Sequence, residues 1–427
     1  MVKAKIRSFF NKQENKTIVS NFLFLSVLQG LNLFLPLLTL PYLNRIIGIE
    51  YVGLLAFAMA LSNYFQVFVD YGFNLTAPKD VAQNIDDKEK LKLIYNDVMT
   101  SKLILLLLSG AVFSGLIFSF DVLYKERLVY FLTFAGMVVG YSLFPVWFFQ
   151  GVQKMKYITY INVFTKLLFT AAIFIFIKHK QDYWMIPLFT SSGFILSGLI
   201  SLLYIKRSFN IKYGLSPLSR VKTQLFVGKY VFLSQIKITL FSTTNTIILR
   251  ALCGEAAVGY FSNAEKIMRA LAGLQIPVVN ALYPYMSKLI IESKAEAYKK
   301  IRVIGIYGSL IYLVVITILF VFSYEVTALV FGPGMEQTAQ ILRILLLIPV
   351  FILLNNLYGT QILINLGKDR IFFNILLVTA VLNLLLIVPL TYYYKALGTG
   401  ISVFITELFL CIAMYYYAIK QKTIYDE

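Results

Sequence analysis

Histidine and cysteine are almost absent from these 427 residues, which hold one His and two Cys. Cys253 and Cys411 stand far apart in apolar surroundings, so the spacing fits neither a disulfide framework nor a metal site. His179 sits between Lys178 and Lys180 and reads as an ordinary loop residue. There is no Ser/His/Asp or Cys/His set, no Gly-rich phosphate loop and no carboxylate cluster, so nothing at residue level argues for an enzyme, a cofactor or a bound metal. Charge is scarce as well: Asp, Glu, Lys and Arg make up 14% of the chain, against about 25% in soluble domains. Long polar connections are also missing, with no loop beyond about 30 residues.

What fills the chain is hydrocarbon. Hydrophobic residues reach 59%, and the mean hydropathy is +0.75. About 20 apolar residues cross a bilayer as a helix. Twelve such segments can be read, at roughly 18–44, 51–73, 103–120, 128–149, 158–177, 184–205, 230–252, 257–287, 303–323, 338–366, 371–392 and 396–418. The expected fold is therefore an all-α integral membrane protein of about twelve transmembrane helices. The first residues, Met-Val-Lys-Ala-Lys-Ile-Arg, lack the apolar core of a cleavable signal, so segment one is expected to remain in the membrane.

Basic residues orient these segments. With the N-terminus in the cytoplasm, cytoplasmic segments and their flanks hold 27 of the 39 Lys and Arg, and the opposite face holds 7. That bias predicts a multi-pass protein with both termini cytoplasmic, and loops near Lys90, Lys154, Lys212, Lys294 and Lys368 on the same side. The net charge of +18 is then a topology signal against anionic lipids, and nucleic acid is not expected as a partner.

The chain parallels itself at half its length. Arg45-Ile-Ile-Gly48 through Val52-Gly53 matches Arg250-Ala-Leu-Cys-Gly254 through Val258-Gly259, with both glycines and the valine displaced by 206 positions. Phe24-Leu25-Ser26 and Phe232-Leu233-Ser234 match at 208. Six segments per repeat predict two pseudo-symmetric six-helix lobes, 1–205 and 230–427, joined by a basic cytoplasmic linker at 206–229 that contains Gly214 and Pro217.

Five bases lie inside apolar segments: Lys166, Lys237, Lys266 and Arg269, with Arg343 nearer an end. A charge at the bilayer centre costs roughly 2.5–3.5 kcal/mol or more, so such groups face protein or water. Lys166, Lys237 and Arg269 lie about 10–18 Å deep, near the limit of lysine reach. Together the bases point to a passage for something anionic. Their neighbours form stripes: Thr159, Asn162, Lys166 and Thr170; Ser234, Lys237, Thr244 and Asn245; Asn63, Gln66 and Asp70. Glu265 is four residues before Arg269, a spacing that permits an ion pair, and Glu407 falls mid-segment. Glu265, Glu407 and Asp70 are candidates for charge balance or for coupling to H+ or Na+. Lys102, Lys154, Lys156 and Arg343, near segment ends, are expected to snorkel. Pro36, Pro41, Pro277, Pro284 and Pro349 are each expected to remove a backbone hydrogen bond and bend a segment.

Several strings in order resemble a known family: Pro41-Tyr-Leu-Asn-Arg45-Ile-Ile-Gly48, Asp70-Tyr-Gly-Phe-Asn74, Phe144-Pro-Val-Trp-Phe-Phe-Gln-Gly151, Lys154-Met-Lys-Tyr157, Val258-Gly-Tyr-Phe-Ser-Asn-Ala-Glu-Lys266 and Ala281-Leu-Tyr-Pro-Tyr-Met-Ser-Lys288. They resemble the Wzx-type flippases of O-antigen and related polysaccharide repeat units, within the multidrug/oligosaccharidyl-lipid/polysaccharide (MOP) exporter superfamily. The resemblance runs over about 20–415 and loosens after segment eight. It implies a MATE-like fold in a bacterial inner membrane and a substrate of undecaprenyl-pyrophosphate-linked oligosaccharide, carried from cytoplasmic to periplasmic leaflet by alternating access through a cationic central cavity. Membrane lipids and polysaccharide assembly proteins are the further partners it implies. Lys166, Lys237, Lys266 and Arg269 would hold the pyrophosphate, and Asn162 and Asn245 the sugars. A multidrug exporter of the same superfamily is the main alternative, though a basic interior repels cationic drugs. A membrane enzyme of polysaccharide assembly would be expected to show large outer loops or membrane-associated histidines.

Overall fold

The computed structural model describes residues 13–426; the side chains of 13–23, 25–26, 237–238, 240–242, 281 and 422–426, Lys237 among them, lie outside the described residues. The described chain is helical. Its principal helices are α1 (Gln13–Ile47), α2 (Ile49–Asp70), α3 (Phe73–Gln83), α4 (Lys88–Ser119), α5 (Arg127–Phe134), α6 (Val146–Gly151), α7 (Met155–Phe176), α8 (Met185–Ser208), α9 (Leu218–Gly273), α10 (Ile276–Glu292), α11 (Lys294–Val321), α12 (Glu336–Leu345), α13 (Ile348–Asn355) and α14 (Asp369–Asp426). Eight spans among the described residues are long and apolar enough to cross a membrane, where the sequence suggests twelve segments. Part of the difference lies in α14, a single run that holds two of those segments and turns at Lys395, φ 53°. The more polar α9 holds segment 230–252 and the first part of segment 257–287, and breaks at Gly254.

Local sequence explains where helices stop. Gly48 and Gly254 both adopt left-handed φ, 83° and 81°, and end the helical run just before the two matching Val-Gly strings. Asp87 caps α4 by accepting from the Lys90 amide at 3.1 Å, and that hydrogen bond holds its carboxyl below the usual range. Pro36 and Pro41 lie inside α1, whose helical run continues through them. Pro277 and Pro349 depart from expectation: each sits in the first turn of its helix, α10 or α13, where the missing N–H has no helical partner to lose. They start helices, and the sequence segments 257–287 and 338–366 are divided there.

Packing divides the chain into two compact units. One comprises the described part of Met1–Leu35 with Ala58–Thr239; the other comprises Pro36–Phe57 with the described part of Leu240–Glu427. In the first, α6 is buried almost completely, with Trp147, Phe148 and Phe149 at 0% exposure. Its Gly151 lies so close to α3 that a methyl group there would be 2.5 Å from Val81. In the second unit the two matched strings meet. A methyl group on Gly53 would fall 1.8 Å from the Glu255 carbonyl oxygen, and one on Gly259 would fall 2.3 Å from the Ile49 carbonyl oxygen. Both contacts join positions that the 206-residue displacement exchanges, so the repeat in sequence is a pseudo-twofold crossing in space. Beside it Asn44 and Asn263 exchange side-chain hydrogen bonds at 3.2 and 2.9 Å, and both side chains are buried. A reciprocal amide pair satisfies donor and acceptor together where no water can.

Candidate functional site: charged clusters within apolar helices

The second unit holds the richer cluster. Glu265 and Arg269, one turn apart on α9, form the ion pair that their spacing permits, with Glu265 Oε1 accepting from Arg269 Nη2 at 2.6 Å and Nε at 2.9 Å. Half of the Arg269 side chain is nevertheless exposed, 52%, so one carboxylate leaves part of the guanidinium open to a second anion. Lys266 lies next in sequence, with Glu265 and Arg269 as its charged neighbours. The α14 carboxylate Glu407 feels the Arg269 charge and accepts from Asn355 Nδ2 at 3.1 Å. Two bases, two acids and an amide from three helices thus share one electrostatic neighbourhood. Asn245, also on α9, is buried with a side-chain carbonyl oxygen that has no hydrogen-bond partner among the described residues.

The first unit carries a separate cation. Lys166 on α7 donates to the side-chain oxygen of Asn32 on α1 and lies 5.9 Å from the centre of the Phe194 ring. Neither partner neutralises it. Asn162, one turn earlier, donates to the Ile158 carbonyl at 2.9 Å, and Thr159 donates to the Phe24 carbonyl at 2.9 Å. Part of this stripe therefore ties α7 to α1 and to its own backbone. The Lys237 side chain falls outside the described residues.

Lys102 and Asp70 correct the reading of Lys102 as a snorkelling residue. Lys102 is 2% exposed and reaches Asp70 Oδ1 at 3.1 Å. The same oxygen accepts from Asn74 Nδ2 at 2.6 Å, and Asn74 also meets the Tyr141 hydroxyl at 3.4 Å. The partner carboxylate, 32 residues away in sequence, is what permits burial: an ion pair with added hydrogen bonds is tolerated where a lone ammonium is not. Arg343, expected at a helix end, donates to Ser323 Oγ at 2.6 Å and the Phe320 carbonyl at 3.2 Å and stacks on Tyr324 at 4.5 Å. Lys154 packs over Phe209 at 4.6 Å.

Sequence reasoning missed Asn32 and Asn355, the amides that hold Lys166 and Glu407. Asn32 is flanked by leucines and Asn355 is one of an adjacent Asn pair in an apolar run, a visible signal, but nothing local says which charge either meets. It also missed how the linker is held. Gly214 N donates to Asn96 Oδ1 at 3.0 Å, Ser216 N donates to Thr100 Oγ1 at 3.1 Å, and Thr100 and Tyr213 hydroxyls meet at 3.3 Å. Asn96 and Thr100, one turn apart on α4, thus bind the extended stretch before α9 as a strap.

These clusters sit in a chain that belongs to the family described as "Polysaccharide biosynthesis protein", whose profile matches residues 18–290. All six strings that carry the Wzx resemblance fall inside that match. A protein of Escherichia coli (strain K12) named "Putative O-antigen transporter" is 33% identical over 409 residues, covering 94% of this chain and 97% of its own. One of the same name from Shigella dysenteriae is 28% identical, covering 92% and 98%. Among solved structures, "Lipid II flippase MurJ, inward closed conformation" superposes with a TM-score of 0.71 at 13% identity, covering 94% of this chain and 87% of that one. An inward-facing multidrug resistance MATE family transporter of the MOP superfamily gives 0.66 at 16% identity, covering 91% and 98%. The fold is thus that of MOP-type transporters, and the chain is a multi-pass membrane transporter of polysaccharide biosynthesis rather than an enzyme.

Proposed function

We propose that this protein flips undecaprenyl-pyrophosphate-linked oligosaccharide repeat units from the cytoplasmic to the periplasmic leaflet of a bacterial inner membrane, with both termini in the cytoplasm. The observation that carries the reading is the half-open Arg269 beside Lys266, with Lys166 unneutralised in the other unit, in a polysaccharide-family chain. A pyrophosphate crosses hydrocarbon only at prohibitive cost, its sugars need hydrogen bonds, and its lipid tail can stay in the bilayer. Cations on several helices meet the first need, and amides such as Asn162 and Asn245 meet the second. Glu265 already takes part of the Arg269 charge, which keeps the anion from being held too tightly to leave. Glu407, in the same field, is the candidate for coupling to H+ or Na+.

Alternating access requires something to open. In this reading the Gly53–Gly259 crossing closes the periplasmic end, because nothing larger than glycine fits there, and transport separates it. Loss of the protein should make lipid-linked repeat units accumulate on the cytoplasmic face, and the wild-type chain should clear them. A triple Lys166→Ala, Lys237→Ala, Arg269→Ala variant, present in the membrane at normal level, should not. Full clearance by that variant would remove the cationic passage from the account. Periplasmic reporter activity at Lys212 or Lys294 would overturn the topology.

A further inference from the structure

The first unit contains a cavity of about 580 Å³ that transport does not use in the reading above. Its walls come from α4, α8, the strapped linker and the short turn that carries Ser142 and Leu143. Its volume lies in the range of about 300–1,000 Å³ typical of sites for small ligands. The lining is strongly divided along one axis. Leu199, Leu203, Leu103 and Leu106 form an apolar wall, whereas Lys206 and Lys212 stand at the end where α8 gives way to the linker. Leu199 precedes Lys206 by about 10 Å along α8, two turns towards the middle of the span. Leu199, Leu203 and Leu103 are 46%, 54% and 36% exposed, so the wall is open on the side that lipid covers in a membrane.

That polarity matches one kind of molecule. Two cations at a membrane surface followed inward by an open apolar trough have the order of headgroup and acyl chain in a phospholipid. Basic pockets on the cytoplasmic side of helical membrane proteins recognise anionic headgroups in this way. The floor is also built: Asn96 and Thr100 hold Gly214, Ser216 and Tyr213, and so fix the strap that carries Lys212. Lys102, which also borders the cavity, is already paired with Asp70 and does not compete for the headgroup. We propose that this cavity holds one acyl chain of an anionic phospholipid of the cytoplasmic leaflet, with its phosphate between Lys206 and Lys212. The lipid is resident and distinct from the transported substrate.

The test uses the full chain, purified in detergent, with native mass spectrometry to count retained lipid. Phosphatidylglycerol and phosphatidylethanolamine of identical acyl chains are the probes. The wild-type protein should retain the first in preference to the second. Each lysine near an anionic headgroup contributes about fivefold in binding, so the Lys206→Ala, Lys212→Ala double variant should retain phosphatidylglycerol about 30-fold less well. Leu203→Trp keeps both lysines but fills the trough, and should also abolish retention. Lys294→Ala with Lys299→Ala removes the same charge elsewhere and should change little. Equal loss in that control pair would show charge attraction without a site, and retention unaffected by Leu203→Trp would show that the cavity is not the place. Competitive displacement of phosphatidylglycerol by undecaprenyl phosphate would overturn the proposal in favour of a site for the substrate's own tail. Lipid-free thermal midpoints equal to wild type confirm that the exposed substitutions leave the fold intact.

Discussion

Two ion pairs on long helices, one in each unit, have different surroundings. Lys102–Asp70 is sealed: the lysine is 2% exposed, and the carboxylate is further held by Asn74. Arg269–Glu265 is open: the guanidinium is 52% exposed and has a second base beside it. In the first pair the charge of the lysine is balanced by its partner and almost none of its side chain is exposed to a ligand. In the second, Glu265 pairs directly with Arg269 while Glu407 shares only its field, and half of the guanidinium side chain stays open. A charge in a membrane helix therefore shows by its partners, more than by its depth, whether it belongs to the scaffold or to a ligand.

The most severe way to break the comparison is Lys102→Ala. It strands Asp70 in the interior, and removing one member of a buried pair costs about 3–5 kcal/mol. The expected result is loss of the protein from the membrane, read by quantitative immunoblot, with recovery when Asp70→Asn is added. Normal abundance of the single variant would show that the pair is not a scaffold element.

Arg269→Ala should act the other way, with abundance near wild type and export reduced about ten- to a hundredfold, the worth of a charged hydrogen bond. Glu265→Gln should tighten anion binding and slow release. The inverted pair Glu265→Arg with Arg269→Glu should recover part of the loss, and a double-mutant cycle on export measures that coupling. Strictly additive losses would mean that the two residues act separately, leaving Glu265 as a coupling candidate whose removal shifts the pH dependence of transport.

Lys166 sharpens the contrast because its hydrogen-bond partner is an uncharged amide. Lys166→Met should leave stability within about 1 kcal/mol, as its removal strands no charge, and should lower export less than Arg269→Ala does. The smallest effect is expected at Lys154, whose ammonium packs over Phe209 at a helix start. Lys154→Ala should be nearly silent in both assays.

Much of the architecture was legible because hydropathy and charge act locally. Apolar runs specify helices in a membrane whatever they pack against. The Glu265–Arg269 pair was legible for the same reason, since one helical turn brings i and i+4 together. The matched glycines at 48, 53, 254 and 259 announced a repeat, because glycine adopts a positive φ without steric cost and alone is small enough for so close a backbone approach.

Tertiary structure alone decided which faces meet. A 3.6-residue period places Lys102, Lys166 and Asn96 on helix faces, but it does not say that those faces find Asp70, Asn32 and the linker, which lie 32, 134 and about 118 residues away in sequence. The sequence by itself determined a helical membrane transporter with bases in its interior and a duplicated plan. Whether each base was sealed or left open depended on the desolvation of a charge, which is set by the neighbours that packing brings and is unreadable from the residue's own segment.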